Sequence, residues 1–238
     1  SYAMAQGLSI EHIRAEELFV ESQGEPIAPL DLEPDHPALL MFTSGTAGSP
    51  RIAVLSHGNV AASIEQSRSS APGLADNKHT ILGVMPLTHV LGIVSVVAVA
   101  ISVGATVVLA TKTDVISVAA TIKENQVTFL VAPPVFWFRL ANSEVEPDML
   151  SSITMTLSGA APLSAAVAET LAERYGLRLR QGYGLTEASP GLTSAVGTDA
   201  PATSVGRPMP GVKLRLVDEH GDDALVGDAD AAAAAAWT

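Results

Sequence analysis

The sequence contains no cysteine, which removes disulfides and thiolate-ligated metals from consideration and agrees with a cytoplasmic location. Aromatic residues are sparse at 4%, so the 47% hydrophobic content, ample for a sizeable core, is mostly aliphatic. Positive charge is also short: 13 Lys and Arg against 25 Asp and Glu leave a formal net charge of −12. That balance excludes a broad nucleic-acid surface and confines any positive field to a local cleft. No Gly-Lys-Ser or Gly-Lys-Thr occurs, which excludes the ordinary phosphate loop of nucleotide hydrolases, G-x-x-x-x-G-K-[ST] opening a helix. Neither a secretory signal over residues 1–7 nor an internal repeat is visible.

Residues 90–110 carry no charge and reach the length of a membrane span. Ser95, Ser102, Gly104 and Thr106 interrupt this run, and Gly104 offers a helix-ending position before the β-branched Thr106-Val107-Val108-Leu109. The expectation is a buried helix followed by a buried strand, with no membrane span.

What is present begins with Thr43-Ser44-Gly45-Thr46-Ala47-Gly48-Ser49-Pro50-Arg51. Glycines let backbone N–H groups approach an anion, hydroxyls add donors, and the guanidinium supplies a full charge, a combination suited to polyphosphate. The apolar run 38–42 before this loop and Ile52-Ala53-Val54-Leu55 after it read as two strands joined by the loop. A flexible Gly/Ser turn has the same composition, so the loop alone leaves both readings open. Downstream, Gln181-Gly182-Tyr183-Gly184-Leu185-Thr186-Glu187 groups an aromatic, a hydroxyl and a carboxylate. Such a trio can stack on a purine, donate to a phosphate and hold the magnesium that accompanies ATP.

The rest of the pattern predicts a mixed α/β fold with largely parallel sheets and flanking helices. Asn59 is expected to cap a helix over 60–69, and 81–84, 129–131 and 153–157 to form short strands. Pro134 suits the first turn of a helix running to about Leu140. Ser164 is expected to cap 165–175 and Gly176 to end it. Residues 177–181 and 212–217 read as further strands, the second closing on the turn Glu219-His220-Gly221-Asp222.

Taken together, these segments resemble the adenylate-forming superfamily: acyl-CoA synthetases, adenylation domains of peptide synthetases, and luciferases. The family's phosphate loop, YTSGTTGxPKG, matches residues 42–52, and its L-S-H-x-N matches Leu55-Ser56-His57-Gly58-Asn59. Its Pro-Leu-x-His matches Pro86-Leu87-Thr88-His89, and its Gly-Ala-Pro-Leu turn matches Ser158-Gly159-Ala160-Ala161-Pro162-Leu163. Its G-Y-G-x-T-E matches residues 182–187, and its G-x-P-x-P-G matches Gly206-Arg207-Pro208-Met209-Pro210-Gly211. The order of so many motifs makes the resemblance specific over 38–218, which is read as a partial AMP-binding domain within the large N-terminal domain of such an enzyme. Residues 1–37 are read as a lead-in, its first residues a tag and its prolines 26, 29, 34 and 37 marking an irregular connection, and 219–238 as a tail with an alanine run from which no function is taken. Arg51 stands where the family has lysine, Ile52 where it has glycine and Ala47 where it has threonine. A clear Thr-Gly-Asp segment and the domain carrying the family's catalytic lysine are not found; Val226-Gly227-Asp228 reads as an acidic surface turn. The chain therefore reads as the middle of an enzyme.

The resemblance implies ATP-dependent activation of a carboxylic acid to an acyl-adenylate with release of pyrophosphate, followed by thioester formation with CoA. It implies that Thr43, Ser44, Gly45, Thr46, Ala47, Gly48 and Arg51 hold the β- and γ-phosphates. Thr186 would contact the α-phosphate, and Glu187, with Thr46, would hold Mg²⁺. Gly159, Ala160, Ala161, Gly182, Tyr183 and Gly184 would line the adenine slot, and His89 would lie beside the substrate carboxylate. Val131-Ala132-Pro133-Pro134-Val135 resembles a run found in acyl-CoA synthetases, which favours a fatty or other hydrophobic acid. An acyl carrier protein as acceptor, an amino-acid adenylation domain, and a binding remnant without turnover are the alternatives. Phe136, Trp137 and Phe138 suit either an acyl tunnel or a helix core. Nucleic acid is not an expected partner, and the sequence leaves the oligomeric state open.

Overall fold

The computed structural model describes residues 30–43, 51–71, 73–74, 79–110, 112–215 and 217. Two compact units divide the chain, Ser1–Leu32 and Glu33–Thr238. In the first, the described residues 30–32 have no regular structure; everything below concerns the second.

Its first element is an antiparallel hairpin of β1 (Pro37–Thr43) and β2 (Arg51–Ser56). Alternation along the strands decides which face is buried: Met41, Ala53 and Leu55 turn inward, while Leu40, Phe42, Ile52 and Val54 are exposed. The inward residues form one cluster with Val90 and Val94, and this packing fixes the hairpin against the following layer. Thr43 and Arg51 are the last cross-strand pair before the loop 44–50, which lies outside the described residues. The helix α1 (His57–Ser70) starts three residues earlier than the sequence reading places it. Ser56, not Asn59, is the N-cap: its hydroxyl accepts from the Asn59 N–H at 3.2 Å while the Asn59 side-chain oxygen accepts from the Ser56 N–H at 3.1 Å. An Asn at the third helical position thus closes a reciprocal capping box, a role normally taken by Glu or Gln.

A four-stranded parallel sheet occupies the centre, in the order β4-β3-β5-β6. Its strands are β3 (Thr80–Gly83), β4 (Thr106–Leu109), β5 (Phe129–Ala132) and β6 (Met155–Ser158). Parallel neighbours need crossover connections. Here β3 reaches β4 through a π-helical segment, Leu91–Ala98, continuing into a short α2 (Val99–Ser102). The connection from β4 to β5 is α3 (Val115–Asn125), and α4 (Pro134–Ala141) leads from β5 toward β6. After β6 the chain forms α5 (Ala165–Tyr175), closed by Gly176 at φ 67°. The period-two alternation of β3 and β5 divides the core between two faces. Leu82, Leu130 and Ala132 pack with α3, α4 and α5, whereas Ile81, Phe129 and Val131 pack with Leu91, Val96 and Val99.

The charge-free run 90–110 is a helix followed by a strand, as its glycine suggested: Gly104 follows the helix at φ 68° and β4 begins at Thr106. The strand is not buried as expected, because β4 takes the edge of the sheet and leaves Thr106 and Leu109 exposed. Among the described residues no helix is long and apolar enough to cross a membrane. Residues 177–181 are not a strand. Leu177, Leu179 and Gln181 are buried in the alternating manner of one, but the segment makes a single parallel bridge with β6, at Ser158 and Gln181, and otherwise accepts a side-chain hydrogen bond from Thr156 at the Arg178 carbonyl. The regular strand begins one residue later, as β7 (Gly182–Gly184), antiparallel to β8 (Gly191–Ser194), which pairs with β9 (Arg207–Pro208). Residues 212–215 carry no strand either, and the expected turn at 219–222 lies outside the described residues.

Candidate active site

Three turns meet at one cavity of about 700 Å³. Two of them follow the carboxyl ends of parallel strands, where α/β sheets ordinarily bind ligands. After β3 comes the turn carrying Pro86 and His89; after β6 comes Gly159-Ala160. The third, Leu185 to Pro190, links β7 to β8 and holds Thr186 and Glu187 on a single helical turn, Thr186–Ala188. The hairpin contributes Phe42, Thr43 and Arg51 to the same cavity.

His89 is positioned by its own backbone. Its N–H donates to the Pro86 carbonyl at 3.0 Å, and its carbonyl accepts from the Gly92 and Ile93 N–H groups at 2.9 and 3.1 Å. Gly92 is required there because a Cβ would stand 2.4 Å from the Pro86 oxygen. The Leu91 N–H donates to His89 Nδ1 at 3.1 Å. A backbone N–H can only donate, so Nδ1 is the unprotonated nitrogen and the neutral ring carries its proton on Nε2. Nε2 has no partner among the described residues, which leaves a directed N–H donor in the cavity wall.

Arg51 has no ion-pair partner among the described residues, and neither has Glu187. Among the described residues, Arg51, Glu187 and His89 are the titratable lining groups besides Tyr183, so their formal charge is balanced although the protein as a whole is strongly acidic. Tyr183 presents a half-exposed ring, 48% accessible, and its backbone N–H donates to Thr193 Oγ1 at 3.2 Å. The Thr193 hydroxyl donates in turn to the Val205 carbonyl at 2.7 Å. Ala160 lies in the cavity wall at φ 73°, a left-handed conformation that costs an alanine about 1–2 kcal/mol and that concentrates at functional sites.

Of the residues singled out from sequence, Thr43, Arg51, His89, Gly159, Ala160, Gly182, Tyr183, Gly184, Thr186 and Glu187 all line this cavity. Ala161 follows Ala160 on the same turn, exposed and outside the lining. Ser44, Gly45, Thr46, Ala47 and Gly48 lie outside the described residues. The aromatic trio does not contribute: Phe136 and Trp137 are buried on the opposite face of the parallel sheet, and Phe138 is 56% exposed. Proline at the start of α4 turns those side chains into the helix core, where the Trp137 indole N–H donates to the Ala132 carbonyl at 3.0 Å.

Sequence reasoning passed over two groups of residues. Gln181 is 3% exposed; its Oε1 accepts from the Leu163 N–H at 2.9 Å and its Nε2 donates to the Ala202 carbonyl at 2.7 Å. It ties the Gly159-Ala160 turn to the segment after β8, and its burial next to a glycine motif is the signal that could have found it. The apolar wall was also missed. Ala71, Leu74, Leu91, Val99, Phe129, Leu157 and Val196 all line the cavity and belong to one packed cluster. They come from five separate segments, so no local pattern announces them.

A metal would find one carboxylate here. Among the described residues no three His, Cys, Asp or Glu side chains are grouped for metal binding. Mg²⁺ is commonly held by one or two carboxylates together with the phosphates of a nucleotide, and a lone Glu187 beside a cationic Arg51 fits that kind of site.

Comparison with known proteins bears on the same region. The family model described as "AMP-binding enzyme" matches residues 5–228. A long-chain-fatty-acid–CoA ligase of Bacillus subtilis (strain 168) is 32% identical over 194 residues, covering 79% of this chain and 34% of the relative. The 4-coumarate–CoA ligase 3 of Arabidopsis thaliana is 36% identical over 172 residues, covering 71% and 31%. Among solved structures, ATP-bound MatB from Rhodopseudomonas palustris superposes with a TM-score of 0.77 at 25% identity, covering 85% of this chain and 40% of that one. The chain thus spans about a third of the length of the curated relatives it matches.

Proposed function

Since the chain belongs to the AMP-binding enzyme family of adenylate-forming CoA ligases, we propose that it carries the ATP- and acid-binding centre of an AMP-forming acid–CoA ligase acting on a hydrophobic carboxylic acid. The observation that carries this reading is the single cavity in which Thr43, Arg51, His89, Tyr183, Thr186 and Glu187 converge against a largely apolar wall. The cavity has donors suited to a polyphosphate and a carboxylate, and its packed cluster offers aliphatic and aromatic surface. No cation besides Arg51 stands among the described lining residues, so a second carboxylate on the acid has nothing to meet against the apolar wall.

In this reading a carboxylate oxygen of the acid attacks the α-phosphorus of ATP. The bond from that phosphorus to the bridging oxygen breaks, and pyrophosphate leaves with its electron pair. The acid arrives already ionised, so no general base is needed, and the protein contributes position and charge. His89 Nε2–H donates to the carboxylate and aims it. Arg51 and the Thr43 hydroxyl hold the outer phosphates, with Ser44, Gly45, Thr46, Ala47 and Gly48 supplying the rest of the loop. The Thr186 hydroxyl donates to the α-phosphate, and Tyr183 stacks on the adenine beside Gly159, Ala160, Ala161, Gly182 and Gly184. Glu187, with Thr46, would hold Mg²⁺, which would supply positive charge to offset that on the departing pyrophosphate. The acyl-adenylate then passes its acyl group to the CoA thiol with release of AMP; an acyl carrier protein is the alternative acceptor.

Trapping tests this directly. Incubated with ATP, Mg²⁺, hydroxylamine and a hydrophobic acid, an enzyme of this kind yields the acyl hydroxamate and AMP, and Glu187→Gln lowers the yield about a hundredfold or more. AMP formation independent of any acid would overturn the reading. Absence of AMP alongside tight ATP binding would favour the binding remnant instead.

A further inference from the structure

Two of the sequence motifs take no part in the chemistry proposed above, Leu55-Ser56-His57-Gly58-Asn59 and Gly206-Arg207-Pro208-Met209-Pro210-Gly211. A single side chain joins them. Ser56 is at once the last residue of β2, the strand that begins at Arg51, and the N-cap of α1. Two carbonyls ahead of β1 hold the same end of the helix: His57 and Gly58 donate their N–H groups to the His36 and Pro34 oxygens, at 3.0 and 2.7 Å. Hairpin and helix therefore form one piece, which bears Thr43 and Arg51. In the second motif Arg207 and Pro208 form β9, and the Met209 N–H donates to the Leu192 carbonyl at 2.9 Å. Met209 lines the cavity with its sulfur against Gly191, 2.6 Å from where a Cβ would stand, and Gly191 is the cross-strand partner of Gly184. This second piece bears Tyr183, Thr186 and Glu187. At the tenth residue of α1, about 15 Å along the helix, the Gln66 Nε2–H donates to the Pro210 carbonyl at 2.9 Å. Among the described residues this is the one hydrogen bond between positions 33–71 and 182–212. Elsewhere these positions meet by packing, where β2 approaches the Thr186–Ala188 turn and α1 approaches β8. Apolar packing is non-directional, whereas a hydrogen bond fixes a distance and an angle.

We propose that Gln66 is a positioning residue: by holding Pro210 it keeps the piece bearing Arg51 in register with the piece bearing Glu187, so that both act on the departing pyrophosphate at once. The inference rests on the acid-activating function proposed above and deepens it. When the tie is broken each piece keeps its own contacts with bound substrates. What is lost is their joint action on the charge that develops in the transition state, and a loss of that kind lowers kcat while leaving KM in place. Its size is that of one neutral hydrogen bond, about fivefold. A carbonyl can only accept, so the tie requires a donor at position 66.

The test is Gln66→Ala, followed by acid-dependent hydroxamate formation and by hydrogen exchange at the Met209 amide. The expected kcat is about fivefold lower, with the KM for the acid within about twofold of the parent's. Met209 exchange should be about fivefold faster while exchange of the β5 amides is unchanged. Alanine is the better helix former, so the urea midpoint should not fall. Gln66→Glu, whose carboxylate cannot donate to a carbonyl, should lose at least as much, whereas Gln66→Lys, which keeps a donor, should stay within about twofold of the parent. A Gln66→Ala protein with the parental kcat or the parental Met209 exchange, a loss that appears in KM instead of kcat, or equal impairment of Gln66→Glu and Gln66→Lys overturns this inference and leaves the functional reading standing. Silence of the parent toward every acid overturns both.

Discussion

Gly184→Ala is expected to disable the site through geometry alone. A Cβ built on Gly184 lies 2.0 Å from the Pro190 carbonyl oxygen and 2.8 Å from its carbon. That oxygen already accepts from the Leu185 N–H at 2.9 Å, so it cannot retreat without breaking the bond that closes the turn. Real Cβ contacts stay beyond 3.0 Å, so β7 and the turn must separate by about 1 Å. Backbone, unlike the end of a flexible side chain, absorbs this poorly; overpacking of this kind costs roughly 1–3 kcal/mol of stability. The same displacement moves Thr186 and Glu187, and a misplacement of about 1 Å in a catalytic constellation costs about a hundredfold in rate. The urea midpoint and the rate of acid-dependent adenylation should therefore both fall. Gly73→Ala is the control: nothing lies within 4 Å of its added Cβ, and it should change stability by no more than about 0.5 kcal/mol. A Gly184→Ala protein with the parent's midpoint and the parent's rate would refute the reasoning.

Tyr183→Ala should raise the ATP KM about fivefold, from roughly 1 kcal/mol of lost stacking, with little change in the KM for the acid; equal effects on both would remove the ring from the adenine slot. Trp137→Phe keeps the edge-to-face contact with Phe136, 5.6 Å between centroids, but leaves the fully buried Ala132 carbonyl without its indole donor. It should lose about 1–3 kcal/mol in urea unfolding, and an unchanged midpoint would contradict that assignment. The Ser117 N–H, donating to Asp114 Oδ1 at the start of α3, holds the Asp114 carboxyl below its ordinary 3.8. The hydrogen bond from Lys123 does the same for Asp148. A depressed carboxylate stabilises the fold above its unfolded pKa, and the gain is lost as pH falls through the lower folded value. The gap in urea midpoint between the parent and Asp114→Ala should thus be full near about pH 6 and close below 3.8; a gap independent of pH would contradict the charged cap.

Local chemistry made much of this molecule legible. The hairpin strands, the break at Gly104, the helix opened by Pro134 and the helix ended by Gly176 each follow from residues acting on their own neighbours. Failures occur where a distant partner decides. Leu177, Leu179 and Gln181 alternate like a strand, yet β6 offers them only one bridge. The helix α3 went unread although Asp114 caps it and Val115, Val118, Ala119 and Ile122 form its buried stripe; these residues stand at helical spacing in a stretch without glycine or proline punctuation. The π winding before α2 has no sequence signature, and the close approach of Gly92 to the Pro86 carbonyl is a contact between residues that only the folded turn brings together. The same division holds at the site. Motif residues such as Arg51, His89 and Glu187 could be named from their neighbours, whereas Leu74, Phe129, Leu157 and Val196 become one wall only when the sheet brings their segments together.

The central claim is that this cavity activates a carboxylic acid with ATP, and exchange of labelled pyrophosphate into ATP measures that step without requiring the thiol acceptor. The assay uses the chain itself and any longer polypeptide encoded around it, with Mg²⁺ and a panel of hydrophobic acids. The account predicts exchange that depends on the acid and that falls on replacing Arg51, His89 or Glu187. Exchange or hydrolysis indifferent to the acid, or none from a folded protein that binds ATP, would contradict it.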